Sequence, residues 1–404
     1  MATVSGDWST QNVVSGERPL DWSSKLNILI PNIARFTTLI TKVSTGESLS
    51  DPEFNVWEQD DLALVGTLDE AMDTSETAMT VTDSTVFRVG DIIEAKTTTA
   101  ATYETMYVSA IVDATTLTVI RGFGGTAGTA QDTGTPLYII DNVSPEASSK
   151  PEARASQMTK RTNYAEIIRA TADTSNTMLG TLTRPELQKG ALHRRNLMFA
   201  LRRIKMQMET SAFFGQAKES TAVTPVIRKT GGVYEFVNSG NKVNAAGPLT
   251  FEHINALAGL VYDQGTPELD GAVLIVSPAI RRKLSELVVA TGIIRNDEQK
   301  SSKWGFRVET IVTPWGDLPL VQSSALRGSG GANVTRGATG FDLHGDKAFL
   351  IKMPLFKIRW FRPLTLKTDI QAPDYDGKID GYIGEYGFER RCPKAHAVLY
   401  GVTG

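Results

Sequence analysis

The stretch TRPELQKGALHRRNLMFALRRIKMQMETSAFFG, from Thr183 to Gly215, restricts the fold of this chain more than any other. It opens with a capping box: Thr183 can accept from the N–H of Glu186, whose side chain can reach back to the N–H of Thr183. Pro185 falls in the first turn, where its missing N–H costs nothing. Leu187, Ala191, Met198, Leu201, Met208 and Ala212 then recur at helical spacings and share one face. Gly215 reads as a left-handed stop. The pattern predicts a helix over 184–214, a rod about 45 Å long at 1.5 Å per residue. Gly190 weakens it by about 1 kcal/mol relative to Ala. The opposite face carries Lys189, Arg194, Arg195, Arg202, Arg203 and Lys205, with His193 beside them. Taken alone, that is the solvated face of a long helix, and its meaning depends on what surrounds it.

Charge is distributed unevenly around this helix. The formal net charge of −3 gives no pull toward nucleic acid or membrane, but it hides a segregation. Between Asp51 and Glu146 there are 17 acidic residues against three basic ones, Arg88, Lys96 and Arg121. Between Lys150 and Lys205 there are 12 basic residues against four acidic ones. A chain charged in this way attracts copies of itself, acidic piece to basic piece. Cys392 is the only cysteine, so no intrachain disulfide is possible and a cytosolic folding compartment is expected. No apolar run is long enough to span a membrane, and MATVSGDWST lacks the regions of a signal peptide.

Taken in order, residues 1–50 read as an extended arm, with a short strand at Asn27–Ile30 and a short helix at Phe36–Val43. PEFNVWEQDDLAL (52–64) alternates like a strand, and Arg161–Thr171 is its expected partner. Between them, from Glu76 to Val143, five short strands at regular spacing predict an inserted β barrel or sandwich whose ends lie close together. After the helix, a Gly- and Asn-rich region contains a hairpin near Val233–Val237. An α/β block follows: a helix at Thr250–Tyr262, a buried strand at Ala272–Val276, and a helix from Ser277-Pro278 to Ala290. Strands at Phe306–Thr313 and Leu318–Val321 flank a turn at Pro314-Trp-Gly316, and Arg327–Gly340 is a Gly-rich loop. From Phe341 on the pattern is all strand, ending in the pair Lys378–Arg391 and Ala395–Val402 joined by Cys392-Pro393-Lys394.

Candidate chemistry is sparse. Gly122–Ala127 (GFGGTA) matches a dinucleotide fingerprint, but turn and strand follow it instead of the helix whose N-terminus would hold a pyrophosphate. His193, His253, His344 and His396 have no metal-ligand spacing to one another or to Cys392, and His193 and His253 read as surface or packing histidines. No nucleophile motif is present. Neither an enzyme nor a cofactor is expected.

The order of parts carries a resemblance. An extended arm, a hairpin containing RTNYAEIIRAT, a long basic helix ending METSAFFG, an α/β block and a terminal GEYGFERRCPKAHAVLYGV together resemble the major capsid proteins of tailed bacteriophages, a fold shared with encapsulins and the floor domain of herpesvirus capsid proteins. The resemblance implies an α+β fold with 1–50 as N-terminal arm, 51–75 and 144–175 as E-loop, and 76–143 as a β domain inserted in it. It makes 176–246 the P-domain with its spine helix at 184–214, 247–340 the A-domain, and 341–404 the terminal strands of the P-domain. It implies pentamers and hexamers of identical copies forming an icosahedral virion shell around double-stranded DNA held non-specifically. Assembly would take place in the bacterial host cytoplasm, with portal, scaffolding or decoration proteins as further partners and no membrane. Glu58, Asp60, Asp61, Arg161, Arg169, Arg194, Arg195, Arg202 and Arg203 are the expected intersubunit residues, acid on one copy facing base on the next. Two other classes compete: an encapsulin-like compartment, which shares the fold but packages protein cargo and is disfavoured by the large E-loop insertion, and a β-rich tail or fibre protein, which leaves the long helix and the α/β block unexplained.

Overall fold

The computed structural model describes residues 35–403 except 44–45, 96–102, 147, 149–154, 183–188, 223–224, 265–268, 270, 291–309, 324 and 328–343. Residues 1–34, the Thr183/Glu186 capping box with Pro185 and Leu187, the start of the strand expected at Phe306–Thr313, and the loop after Arg327 therefore lie outside the described residues. The chain divides into two units, Trp57–Lys160 on one side and residues 1–56 with 161–404 on the other.

The smaller unit is a closed barrel. Its strands are β2 (Val65–Thr67), β3 (Ala78–Thr80), β4 (Asp91–Ala95), β5 (Glu104–Ile111), β6 (Thr116–Ile120) and β7 (Pro136–Asn142), where β1 (Glu53–Gln59) precedes them. They lie in the order β2-β7-β4-β5-β6-β3. The two outer strands meet: Asp69 donates to the carbonyl of Thr80 at 2.9 Å, and Thr82 to that of Thr67 at 3.0 Å. Closure removes the sheet edges. Strict alternation fills the interior with Leu68, Met79, Ile93, Met106, Val108, Leu117 and Leu137. The barrel therefore begins at Val65, eleven residues before the expected Glu76, because Val65–Met72 supplies both a strand and core side chains.

A buried ion pair accompanies this core. Glu104 is fully buried and takes a two-pronged contact from Arg121, at 2.6 and 2.7 Å. The remaining Arg121 donor sites go to the carbonyls of Asp73, Glu76 and Thr129, and the amides of Gly122 and Thr129 donate to Glu104. Burial pushes the Glu104 carboxyl up, but Arg121 and these amides outweigh it and hold it below the usual range. The GFGGTA stretch belongs here as a tight turn: Gly122, Gly124 and Gly125 all have positive φ.

The larger unit is built on helix and sheet. Helices α1 (Arg35–Val43), α2 (Asn176–Gly180), α3 (Ala191–Phe214), α4 (Val233–Phe236), α5 (Phe251–Gln264) and α6 (Pro278–Ala290) accompany strands β8 to β19. β8 (Met158–Tyr164) pairs with β1, while β9 (Glu166–Ser175) runs beside β18 (Gly377–Arg390), itself paired with β17 (Phe356–Lys367). The strand expected over Arg161–Thr171 is thus two strands, broken at the buried Ala165. A six-stranded mixed sheet runs β12 (Lys242–Gly247), β19 (Ala397–Val402), β16 (Ala348–Lys352), β13 (Ala272–Val276), β15 (Gly316–Gln322) and β14 (Thr310–Thr313). β13 lies inside this sheet, which explains its unbroken apolar run AVLIV. β18 and β19 do not form the expected pair. Cys392, at φ 53°, turns the chain from the three-stranded sheet into the six-stranded one. The hairpin expected near Val233–Val237 is helix α4, and the hairpin of this region is β10 (Lys218–Ser220) with β11 (Ile227–Lys229).

α3 differs from its sequence reading in three respects. Gly190 stands outside it, as a left-handed N-cap at φ 72°, so it costs the helix nothing. Gly215 ends it at φ −56°, and is glycine because a side chain would run into the carbonyl oxygens of Ser211 and Thr230. The buried residues run through His193, Ala200, Ile204, Met208 and Ala212, leaving Met198 and Leu201 half-buried. The last turns are enclosed on several sides, so a single-stripe template fails there. α1 packs onto them, Phe36 stacking on Phe213 with ring centroids 4.7 Å apart. Residues 46–49 then bond to β17, through Gly46 to Ile358 and Leu49 to Trp360. The 35–43 and 46–49 parts of the expected arm are therefore bound within their own chain.

His396 is fully buried between the two sheets' connecting strands. Its Nδ1 accepts from the Lys352 amide and its Nε2 meets the Arg391 carbonyl, both at 3.2 Å, which fixes a neutral ring. Burial lowers its pKa to about 4. The unfolded ring titrates near 6.5, so this contribution to stability is complete above about pH 6.5 and is lost as pH falls toward 4. Its full span is about 3 kcal/mol. Urea midpoints measured over that window should fall in the wild type and fall less in His396→Gln; parallel curves would refute the assignment.

Truncating Ile204, with no exposed surface, should cost about 2–5 kcal/mol, whereas Leu201→Ala should cost less than half as much. Equal losses in denaturant unfolding would show that the burial line along α3 is wrongly drawn.

Candidate assembly interface

β1 and β8 form a two-stranded ribbon through which the chain leaves the larger unit and returns to it. Its root is anchored. Phe54 is buried under the Arg359 guanidinium, Ala165 donates to the Pro52 carbonyl at 2.7 Å, and Gly387 is glycine because a side chain there would strike the Phe54 ring. Further out the apolar positions face water, with Trp57 63 % and Met158 64 % exposed. β1 stops at Gln59, short of the expected Leu64, and Asp60, Asp61, Leu62, Ala63 and Leu64 continue as exposed irregular chain. An isolated two-stranded ribbon carrying such side chains is marginal by itself.

A groove between β9 and α3 offers a surface of complementary character. One stretch, about 530 Å³, is lined by Arg169, Ala172, Asn196, Phe199 and Arg203. A second, about 770 Å³, continues past Arg203 to Ile167, Met206, Phe214, Arg228 and Lys229. Of the nine expected interface residues, Arg169 and Arg203 converge here. Glu58, Asp60 and Asp61 lie together on the ribbon and its exposed extension. Arg161 is exposed with its guanidinium 6.0 Å above the Phe236 ring. Arg194 is exposed and Arg195 half-buried, and Arg202 is half-buried with its Nη1 lacking a hydrogen-bond partner among the described residues.

The best-built polar cluster is one that charge counting passes over. Glu385 takes both an Nε and an Nη2 contact from Arg362, at 2.9 and 2.8 Å. Glu389 bridges Arg359 and Arg391, at 2.9 and 2.6 Å, and Arg390 pairs with Glu235 at 3.0 Å. The signal was present in the spacing: Glu385 and Glu389 fall on one face of a strand whose neighbour carries Arg359 and Arg362. His193, read from sequence as lying on the basic face of α3, is instead buried. It bonds Thr174 and Asp380, each at 2.9 Å. Thr174, His193 and Asp380 connect like a nucleophile triad, but their burial makes the cluster a tie between α3 and the β9–β18 sheet. Among the described residues no His, Cys, Asp or Glu cluster could hold a metal ion.

An anchored ribbon with exposed apolar side chains and long open grooves suit a structural subunit that associates with other chains. Residues 4–403 match the family described as SU10 major capsid protein, and the chain belongs to that family. It is a capsid shell protein, a component of the virion. In fold it is similar to the chain of Gordonia phage Cozz, at 10 % identity over 98 % of this chain and 96 % of that one with a TM-score of 0.49. The capsid of Myoviridae phage XM1 is similar at 12 % identity over 99 % and 100 %, TM-score 0.46. The holo-SrpI encapsulin complex of Synechococcus elongatus is similar at 12 % identity over 61 % and 78 %, TM-score 0.40. No curated protein matches the chain in sequence.

Proposed function

We propose that this subunit assembles as pentamers and hexamers into an icosahedral shell that encloses double-stranded DNA in the bacterial host cytoplasm. The ribbon and the stretches beside it (51–64 and 144–164) act as the E-loop, with the barrel, which begins at Val65, as its insertion. Residues 176–246 and 341–404 form the P-domain around α3, and 247–340 the A-domain. The observation that supports this most is the exposed ribbon, whose Trp57 and Met158 have no cover within the described chain while a basic-rimmed groove runs along α3. In this reading Glu58, Asp60 and Asp61 of one copy lie near Arg161, Arg169, Arg194, Arg195, Arg202 or Arg203 of the next. Each exposed pair contributes at most about 1 kcal/mol and is screened over about 8 Å in physiological salt, so the pairs act as an array that biases orientation and rate. DNA contacts of lumenal Lys and Arg are non-specific. Portal, scaffolding and decoration proteins would complete the particle.

Asp60→Lys combined with Asp61→Lys should leave the subunit folded by circular dichroism and slow assembly about tenfold, or move its salt optimum, by light scattering. Unchanged kinetics would remove these residues from the interface. Negative-stain microscopy of the wild type should show closed shells of virion size, whereas small uniform compartments or no shells would overturn the reading.

A further inference from the structure

Four strands of the barrel, β4 to β7, contain no Lys or Arg. Outward positions of such strands in water are ordinarily polar, yet here they carry rings and aliphatic chains. Ile92 on β4 lies opposite Tyr107 on β5, and Phe123 stacks on Tyr107 with centroids 5.4 Å apart. On β7, Tyr138 and Ile140 are about half exposed. The charged side chains of this face are both carboxylates, Glu94 opposite Tyr138 and Asp141 opposite Ile92. Neither forms an ion pair among the described residues. Opposite positions on one face stand about 5 Å apart and diagonal ones about 7–8 Å, so Glu94 is beside the Tyr138 ring and diagonal from Tyr107. A guanidinium or ammonium laid on the Tyr138 ring therefore has Glu94 within reach, which joins a cation–π contact to an ion pair.

The charge of the barrel narrows the occupant further. Between Val65 and Val143 there are eleven acidic residues against three basic ones, a net charge of −8, and one of the three, Arg121, is committed to Glu104. Nucleic acid, an anionic lipid surface and a second barrel are all repelled by that charge. The larger unit of another copy offers few free cations. Its Arg359, Arg362, Arg390 and Arg391 are paired with Glu389, Glu385 and Glu235. Its Arg169 and Arg203 line the groove already given to the ribbon. The surface that fits is a different polypeptide, in which Lys or Arg alternates with apolar side chains.

We infer that the outward face of β4, β5 and β7, with Tyr107, Tyr138, Ile140, Glu94 and Asp141, is a docking site for a separate basic polypeptide. Its cations lie on the tyrosine rings and pair with the carboxylates. This goes beyond the shell reading: the barrel recruits a second protein, whether the subunit is free or assembled.

The probe is a fluorescein-labelled peptide, Arg-Leu-Lys-Leu-Arg-Leu-Lys-Leu, titrated with the full-length protein in physiological salt and followed by anisotropy. Wild type should bind it saturably. Tyr138→Ser with Ile140→Ser, and Glu94→Lys with Asp141→Lys, should each raise Kd about tenfold. Asp69→Lys with Glu76→Lys changes the barrel's charge by the same amount at the β2–β3 seam, through exposed side chains, and should leave Kd within about twofold. No saturable binding, unchanged Kd in the face variants, or an equal loss in the seam variant overturns the inference. Should a face variant misfold by circular dichroism, carbodiimide cross-linking of the peptide to wild type decides. Peptide lysines joined to Glu94 or Asp141 support the site, and lysines joined only to other carboxylates overturn it. Glu94 or Asp141 cross-linked to another copy of the chain in peptide-free wild type makes the face a self-contact and overturns it too.

Discussion

Much of the larger unit hangs on one buried carboxylate. Glu209, on the last turns of α3, is fully buried, and its Oε2 accepts the first amides of α1, from Phe36 at 3.1 Å and Thr37 at 3.2 Å. Its Oε1 accepts the hydroxyl of Ser323, which follows β15. Burial raises the pKa of this group, while its donors act in the opposite direction. A carboxylate placed at a helix N-terminus is stabilised by unpaired amides and by the helix dipole, and here it comes from a residue 172 or 173 positions away. Phe36, whose amide it accepts, stacks on Phe213 and Phe356. The polar contact fixes where the aromatic cluster can close, and the cluster keeps water from the contact. Loss of the carboxylate alone would leave three buried donors unpaired, which is costlier than loss of the same area of apolar contact.

The same logic recurs outward from that centre. The acids of β18 are held by arginines from the neighbouring strand and the following turn. Asn163 on β8 donates to the Phe388 carbonyl at 2.6 Å and accepts from the Gly231 amide at 2.8 Å. Tyr386 reaches Glu166, and burial together with that carboxylate raises its hydroxyl well above the ordinary pKa. A sheet tied by satisfied buried polar groups is stiff and has one register.

The sequence was most readable where local chemistry decides structure. The run AVLIV, the Ser277-Pro278 helix start and the turn nature of GFGGTA follow from patterns within a few residues. Gly215 shows where that ends: its neighbours suggest a left-handed stop, but its glycine is required by the Thr230 carbonyl, fifteen residues on. Leu201 and Ile204 are both apolar on one helix, and only the enclosing elements determine which is buried. His193 sits in a basic run, yet two long-range partners, Thr174 and Asp380, bury it. β19 follows a strand and a short turn, so hairpin pairing was the local expectation, and the left-handed Cys392 sends it to another sheet. Of the candidate interface residues, the sequence separated acid from base correctly along the chain but could not tell that Arg169 and Arg203 meet across two elements.

Charge and burial together account for why such a chain is built for association. Its buried carboxylates are held within the chain at Glu209, Glu104 and Asp380, each by partners from other elements. Its open apolar surfaces lie elsewhere, in the ribbon and the α3–β9 groove. A monomeric protein of this length can bury a substantial core, so surface left uncovered by a well-closed core is not a defect of packing. Apolar area in a shell subunit contributes to assembly only if it is withheld from folding, and it is safe from random aggregation only if charge selects the partner. In the proposed assembly, the segregation of acid into 51–146 and base into 150–205 would supply that selection, since like pieces of two copies repel and unlike pieces attract.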